Sequence, residues 1–297
     1  MNQSFADLYN RKRNFPRYRS VESCIQEIEQ IVGKHHEEID HVYIGDDIFG
    51  PNFKWRKDFC TQYKERIYKK YNMGFMVLLR VEMCQKDKLL KVLKDAGALK
   101  IFFGVESGDE AQRKEVLDRQ MSDETIYTAF ANCHKNGLET LAVNIIGFPD
   151  ETEEMIKRTV KLNRALGMTN SGVNVFYPYR GTPLGDKCFK DNLVDLEKFN
   201  NFSNERRESV LNFSEKHHKM IMKYYNNWSK LVFPFWTHRG FLLRFQPINF
   251  IKKVLSKLGV QREHWIYENA RDIYRKLPDV KIISQNLQTG FRPGRSA

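Results

Sequence analysis

The chain of 297 residues has room for one large domain or two ordinary ones, and its 41% hydrophobic and 29% charged content excludes wholesale disorder. No apolar run is long enough to span a bilayer, and the first twenty residues hold no signal-peptide core. The five cysteines, an odd and scattered set, point to a reducing cytoplasmic setting. The net charge of +12 is uneven: residues 1–200 hold 31 Lys+Arg against 30 Asp+Glu, and residues 201–297 hold 18 against 7.

From Ser20 the chain alternates helix and strand signals. Ser20 is placed to N-cap a helix with Ile25, Ile28 and Ile31 on its apolar face and a stop at Gly33. "HVYIGDDIFG" follows as a short strand to Ile44, ending in Gly45, Asp46 and Asp47, and a helical stretch carries Phe59 and Tyr63. "GFMVLLRVEM" reads as a second strand ending in Arg80 and Glu82. "KDKLLKVLKDAG" reads as a helix stopped at Gly97.

The third strand, Lys100 to Val105, is nearly all apolar and runs directly into Glu106, Ser107, Gly108 and Asp109. Two readings compete for that switch. One is ordinary turn chemistry with Glu106 in water; the other is the carboxyl end of a parallel strand, where α/β folds keep their ligands. A helix from Ser122 with Ile126, Phe130 and Cys133 then ends at Gly137. "TLAVNIIGFPDET" makes a fourth strand, followed by a helix with Glu151, Glu153 and Glu154 set against its dipole; "SGVNVFYPYRGTPLG" makes a fifth strand.

Five strand–helix alternations predict a parallel sheet with crossover helices. Each strand ends in polar or glycine-rich residues, and parallel strands put these ends on one rim. Recurrence favours the rim reading for Glu106 and Ser107. Five strands are too few to close an eight-stranded barrel, and the first recognisable element is a helix, so a first strand is missing from the pattern. No Walker loop, no G-x-G-x-x-G and no Ser/His pairing is present, and none of Cys24, Cys60, Cys84, Cys133 and Cys188 has metal-ligand spacing to another.

The motifs "YRSVESCIQEIE", "GDDIF", "AGALKIFFGVESGDE", "VLDRQMSDETI", "GLETLAVNIIGFPDETEE" and "FYPYRGTPL" occur in the order of the radical S-adenosylmethionine (radical SAM) enzymes, and resemble the cobalamin-binding-type subgroup. The resemblance covers roughly residues 11–185. It implies an α/β fold, a partial (βα)6 TIM-like barrel here lacking its first strand, followed by a mainly helical C-terminal region. The expected organisation is a barrel core over 1–190 and a basic helical extension over 191–297.

The resemblance also implies roles. Gly45-Asp46-Asp47 stands where the family holds the methionine amino group on a Gly-Gly-Glu backbone. Glu106 and Ser107 match the segment contacting ribose and the methionyl part. Arg119 matches an arginine that pairs with the methionine carboxylate, a task suited to a bidentate guanidinium, although a helix-cap salt bridge accounts for it equally well. Asn144, Ile146 and Gly147 match the strand that packs on adenine.

One departure is severe. Family chemistry needs a Cys-x3-Cys-x2-Cys loop to hold a 4Fe–4S cluster, and this sequence has none. "MNQSFADLYNRKRNFPRYRS" resembles the family stretch beginning at the third of those cysteines. The expectation is a chain cut short after the cysteine loop, inactive alone, whose full-length form cleaves S-adenosylmethionine reductively to a 5′-deoxyadenosyl radical, or methylates with cobalamin from an upstream domain. The alternatives are a non-catalytic module with a residual nucleotide pocket, or nucleic-acid binding through the basic region.

The substrate is not legible. Residues 201–297 suggest an anionic partner, against the plainer reading of a solvated basic surface. His217 and His218 lack Cys or carboxylate partners in sequence and read as surface residues; "LVFPFW" reads as core packing in preference to a membrane contact.

Overall fold

The computed structural model describes residues 18–201 and 205–233. Within them, five parallel strands, β1 His41–Ile44, β2 Gly74–Leu78, β3 Ala98–Glu106, β4 Glu139–Ile146 and β5 Asn170–Val175, pair in sequence order. They curl into a half-barrel, the partial TIM-like architecture expected. Helices α1 Val21–His35, α2 Phe53–Tyr63, α3 Asp87–Asp95, α4 Asp123–Lys135 and α5 Glu153–Ala165 alternate with the strands. They are followed by α6 Pro183–Lys190, α7 Leu196–Asn200 and α8 Glu215–Val232.

The caps explain most boundaries. Ser20, Asn52, Ser122, Thr152, Thr182 and Ser214 each accept a backbone N–H in the first turn of the following helix. Gly97 (φ 93°) and Gly137 (φ 70°) end α3 and α4 in a conformation that a Cβ disfavours. In α1 the buried stripe is Val21, Ile25 and Val32 with Ile28 half-buried, and Ile31 is 51% exposed. The helix also runs two residues past Gly33. Arg80 and Glu82 do not belong to β2: the strand ends at Leu78, and Val81–Cys84 forms a separate 3-10 turn.

The sheet has two unlike faces. Phe75, Ile101, Phe103, Val105, Ala142 and Ile146 are fully buried against the helices, where Phe75 meets Phe59 and Tyr63 of α2, and Phe103 meets Phe130 of α4. The alternate residues, Leu78, Phe102, Gly104, Leu141, Val143 and Gly172, lie on the other face and are only half-buried. Lys100 of that face pairs across strands with Glu139 at 3.1 Å. The third strand is therefore not buried on both sides, as its apolar run suggested. It alternates, and this parity puts Glu106 on the open face.

Among the described residues, those after 190 pack against the barrel. Trp228 Nε1 of α8 donates to Ser171 Oγ at 2.9 Å, Tyr224 Oη donates to Glu153 at 2.9 Å, and Arg164 Nε donates to Leu231 O at 2.6 Å. A buried amide pair continues this seam: Asn144 and Asn163 exchange bonds at 3.0 and 2.9 Å, and Asn163 Oδ1 also accepts from Ser171 Oγ. The described residues on both sides of 190 belong to one compact unit. Residues 238–297 lie outside the described residues and hold 12 Lys+Arg against 4 Asp+Glu. So do the "INFIKKVLSKLGV" stretch and the Pro234–Trp236 end of "LVFPFW". No helix among the described residues is long and apolar enough to cross a membrane.

Candidate functional site

Parallel strands in one sheet present their carboxyl ends along one rim. β3 and β4 are neighbours, with Glu106 registered against Asn144 across a shift in the ladder between Gly104 and Glu106. At that irregularity Glu106 takes φ 66°, a left-handed conformation costly for a long side chain and frequent where a side chain must be re-aimed. Its carboxylate meets Arg119 Nη2 at 3.1 Å, with Glu106 only 14% and Arg119 40% exposed. Burial raises the Glu106 pKa above the ordinary carboxylate value, and the Arg119 charge opposes the shift. Gly104 lies beneath this pair: a Cβ there would stand 2.5 Å from Glu106 Oε1.

Ser107 follows at once but faces elsewhere. It is fully buried; its hydroxyl donates to Gln112 Oε1 at 2.6 Å and accepts the Asp109 N–H at 3.0 Å. The turn reading thus describes the Ser107 side chain, and the rim reading describes Glu106. Gly108 packs its N–H on Thr159 Oγ1 at 2.8 Å, and Asp109 is held by Arg158 at 2.6 Å.

Gly147 ends the neighbouring strand with φ 83°, and a Cβ there would meet Ile221 of α8 and Val175 of β5 at 3.4 Å. Asn144 and Ile146 reach the same end, but their side chains point into the helical layer, so only their backbone borders the open face. The alternate residue Ile145 carries the side chain on that face. Gly45, Asp46 and Asp47 lie exposed at the end of β1, on the same rim and separated from β3 by β2.

Two residues of consequence escaped the sequence reading. Glu151, read as a helix-dipole residue, precedes α5 and is 1% exposed, its Oε2 accepting the Gly147 N–H. Its Oε1 has no well-formed bond, the Gln112 amide acting only weakly. Burial pushes this carboxyl up to about 8, with the Gly147 and Phe148 N–H groups pulling the other way. A glycine followed four residues later by a carboxylate, around a proline turn, was the available signal. Arg113 is the other, fully buried beneath the rim, and nothing in the sequence marks it as such.

Cysteine placement does not fit an iron–sulfur cluster. Cys60, Cys84, Cys133 and Cys188 are buried and Cys24 is half-buried, on separate elements. Burial pushes the Cys60 thiol up to about 12, and contact with Cys133 together with burial raises Cys84, whereas cluster ligation needs thiolates. No group of three His, Cys, Asp or Glu side chains suited to a metal ion occurs among the described residues. His217 lies against Phe213 and His218 against Glu208 at 3.4 Å.

A curled parallel half-barrel with helices on one face and a charged, glycine-lined carboxyl rim defines a partial TIM-like barrel of the α/β class. The Radical SAM superfamily model matches residues 3–162, and the chain belongs to that superfamily. It is 25% identical to an uncharacterized methyltransferase of Pyrococcus horikoshii, over 77% of this chain and 50% of that protein. It is also 25% identical to the tRNA-2-methylthio-N(6)-dimethylallyladenosine synthase of Bacillus cereus, over 74% of this chain and 47% of that protein. The chain thus spans about half the length of these curated relatives. The fold resembles the radical S-adenosylmethionine methyltransferase TsrM from Kitasatospora setae, solved with cobalamin and a [4Fe-4S] cluster (TM-score 0.50, 18% identity, 58% of this chain and 34% of that one).

Proposed function

We propose that this chain binds S-adenosylmethionine along the carboxyl rim of β3 and β4, as the nucleoside-binding part of a cobalamin-type radical SAM methyl-transfer system. The observation that carries this reading is the Glu106–Arg119 pair on the open face, one strand from Gly147. In this arrangement Arg119 is half-exposed and free to share its guanidinium with a ligand carboxylate, while Glu106 accepts from ribose hydroxyls. The backbone of Asn144 to Gly147, with Ile145, offers a flat edge for adenine. The Asp46 and Asp47 segment borders the same rim and is proposed to approach the amino group.

The relatives' activities support methyl or methylthio transfer as the reaction class. No step through a cluster is assigned to this chain, because its cysteines do not fit one. That misfit favours a second reading for the chain by itself, a module that binds the nucleoside without cleaving it.

Calorimetry with S-adenosylhomocysteine tests the site. The chain is expected to bind it, and Arg119→Met to weaken binding about tenfold, the scale of a lost charge-assisted hydrogen bond. Equal affinity in the variant would remove Arg119 from the site. Anaerobic reconstitution with iron and sulfide is expected to yield neither stoichiometric 4Fe–4S absorbance nor 5′-deoxyadenosine. Robust cluster loading would mean a ligand set outside the described residues or a rearranged core.

A further inference from the structure

Arg113 is among the largest fully buried side chains, and its surroundings explain why an apolar residue would not serve. Nη1 donates to Ser107 O at 2.8 Å, Nε donates to Met121 O at 3.1 Å, and Nη2 donates to the Asp123 carboxylate and lies 3.6 Å from Glu110 Oε2. Its own carbonyl accepts the Arg119 N–H at 2.8 Å. Ser107 directly follows Glu106, and Met121 lies two residues beyond Arg119. One planar group therefore clasps both ends of the excursion that leaves the rim at Glu106 and returns at Arg119. Residues Gln112–Val116 within it form a π-helical turn, a widened geometry often found at functional sites. An apolar residue would leave the Ser107 and Met121 carbonyls without this donor, and a lysine cannot reach three acceptors in fixed planar directions.

We propose that Arg113 is a positioning residue that sets Arg119 against Glu106, and through that pair governs recognition of the carboxylate of the bound nucleoside. The ligand half of this inference rests on the S-adenosylmethionine reading; the clasp itself does not. The prediction is specific. With Arg113→Lys the rim keeps its adenine edge but loses the fixed guanidinium partner for Glu106.

Two measurements separate these halves. The first is a carbon-13 NMR titration of the Glu106 carboxyl in the wild-type chain, Arg113→Lys and Arg119→Met. The Arg113→Lys midpoint is expected to rise toward that of Arg119→Met, since the first releases Arg119 from its place against Glu106 and the second removes its charge; a folded Arg113→Lys with the wild-type midpoint overturns the proposal. Should Arg113→Lys fail to give a cooperative thermal transition, Asp123→Asn carries the test. It weakens one of the three bonds, and its Glu106 midpoint must move in the same direction by less; an unmoved midpoint overturns the clasp.

The second measurement compares S-adenosylhomocysteine with 5′-methylthioadenosine, which lacks the amino-acid carboxylate. Arg113→Lys is expected to lose about tenfold in affinity for the first and nothing for the second. Equal losses for both mean a merely structural role and overturn the positioning claim. If the wild-type chain binds neither, the S-adenosylmethionine reading fails, and the titration alone decides the clasp.

Discussion

Replacing Gly108 by alanine is expected to destabilise the chain by about 3 kcal/mol, the upper end of the usual cost of overpacking a well-filled interior. A Cβ at Gly108 would stand 2.4 Å from Thr159 Cα and 2.5 Å from Thr159 N, and both are backbone atoms of α5 that no rotamer change can move. The glycine has no positive φ, so its requirement is close approach rather than conformation. Relief would mean lifting α5 off the turn after β3, breaking the Gly108–Thr159 bond and loosening Asp109 from Arg158. Gly172→Ala is the matched control: its Cβ meets only Ala142 O, at 4.0 Å, on the open face. Urea unfolding of the two variants checks the contrast. Equal stability of Gly108→Ala and Gly172→Ala would show that α5 and the rim turn are not in the contact described.

The second large effect is a pH dependence set by Glu151. Its folded pKa lies near 8, against an ordinary glutamate value of 4.5, with burial as the main cause. Between those values the folded carboxyl keeps its proton and the unfolded one releases it, so unfolding liberates a proton and stability falls as pH rises. The slope from this group approaches about 1.4 kcal/mol per pH unit within the window. Its contribution is fully present below 4.5 and lost as pH climbs through 8. Glu151→Gln retains an acceptor for the Gly147 N–H but cannot ionise. The difference in unfolding free energy between wild type and variant should therefore change steadily across that window. Comparison with the variant also removes the contribution of His134, whose pKa burial lowers and which acts in the opposite direction, costing stability as pH falls below 6.5. A difference that stays flat from pH 5 to 8 would mean that Glu151 is hydrated in the native protein.

Glu151 and Arg113 share a lesson about what holds this rim. The two rim residues of the proposed site, Glu106 and Gly147, are each held from beneath by a buried charged or titratable side chain a few residues along the chain. Arg113 acts on the β3 end through Ser107 O, and Glu151 acts on the β4 end through the Gly147 N–H. Helix α8 completes the support from below: Ile221 walls Gly147, and Trp228 reaches the Ser171 hydroxyl that bonds to the Asn163 end of the amide pair. A deletion beginning at residue 201 would strip this layer along with the basic residues.

Local chemistry was enough to specify the order of elements. Ser20, Ser122 and the glycines at 97 and 137 act within a single turn of chain, and the change from β-branched and aromatic runs to Gly, Asp and Glu marks the ends of β1, β3 and β4 without reference to any neighbour. Parallel pairing and a shared rim follow from that alternation, and the motif order then implied the family.

Tertiary structure alone decided which face each residue serves. Alternation in β3 is masked because Ile101, Phe103 and Val105 on the helical face are interleaved with Phe102 and Gly104, which are equally apolar, so only packing against α4 distinguishes the two sets. For the same reason Asn144 looked like a rim residue but points at Asn163, nineteen positions later. Arg113 carries no sequence mark of burial because two of its three partners are main-chain carbonyls, which every residue possesses. Hydrophobic period and capping are properties of one regular element, whereas the satisfaction of a buried charge depends on how the irregular chain beside it turns its backbone groups inward.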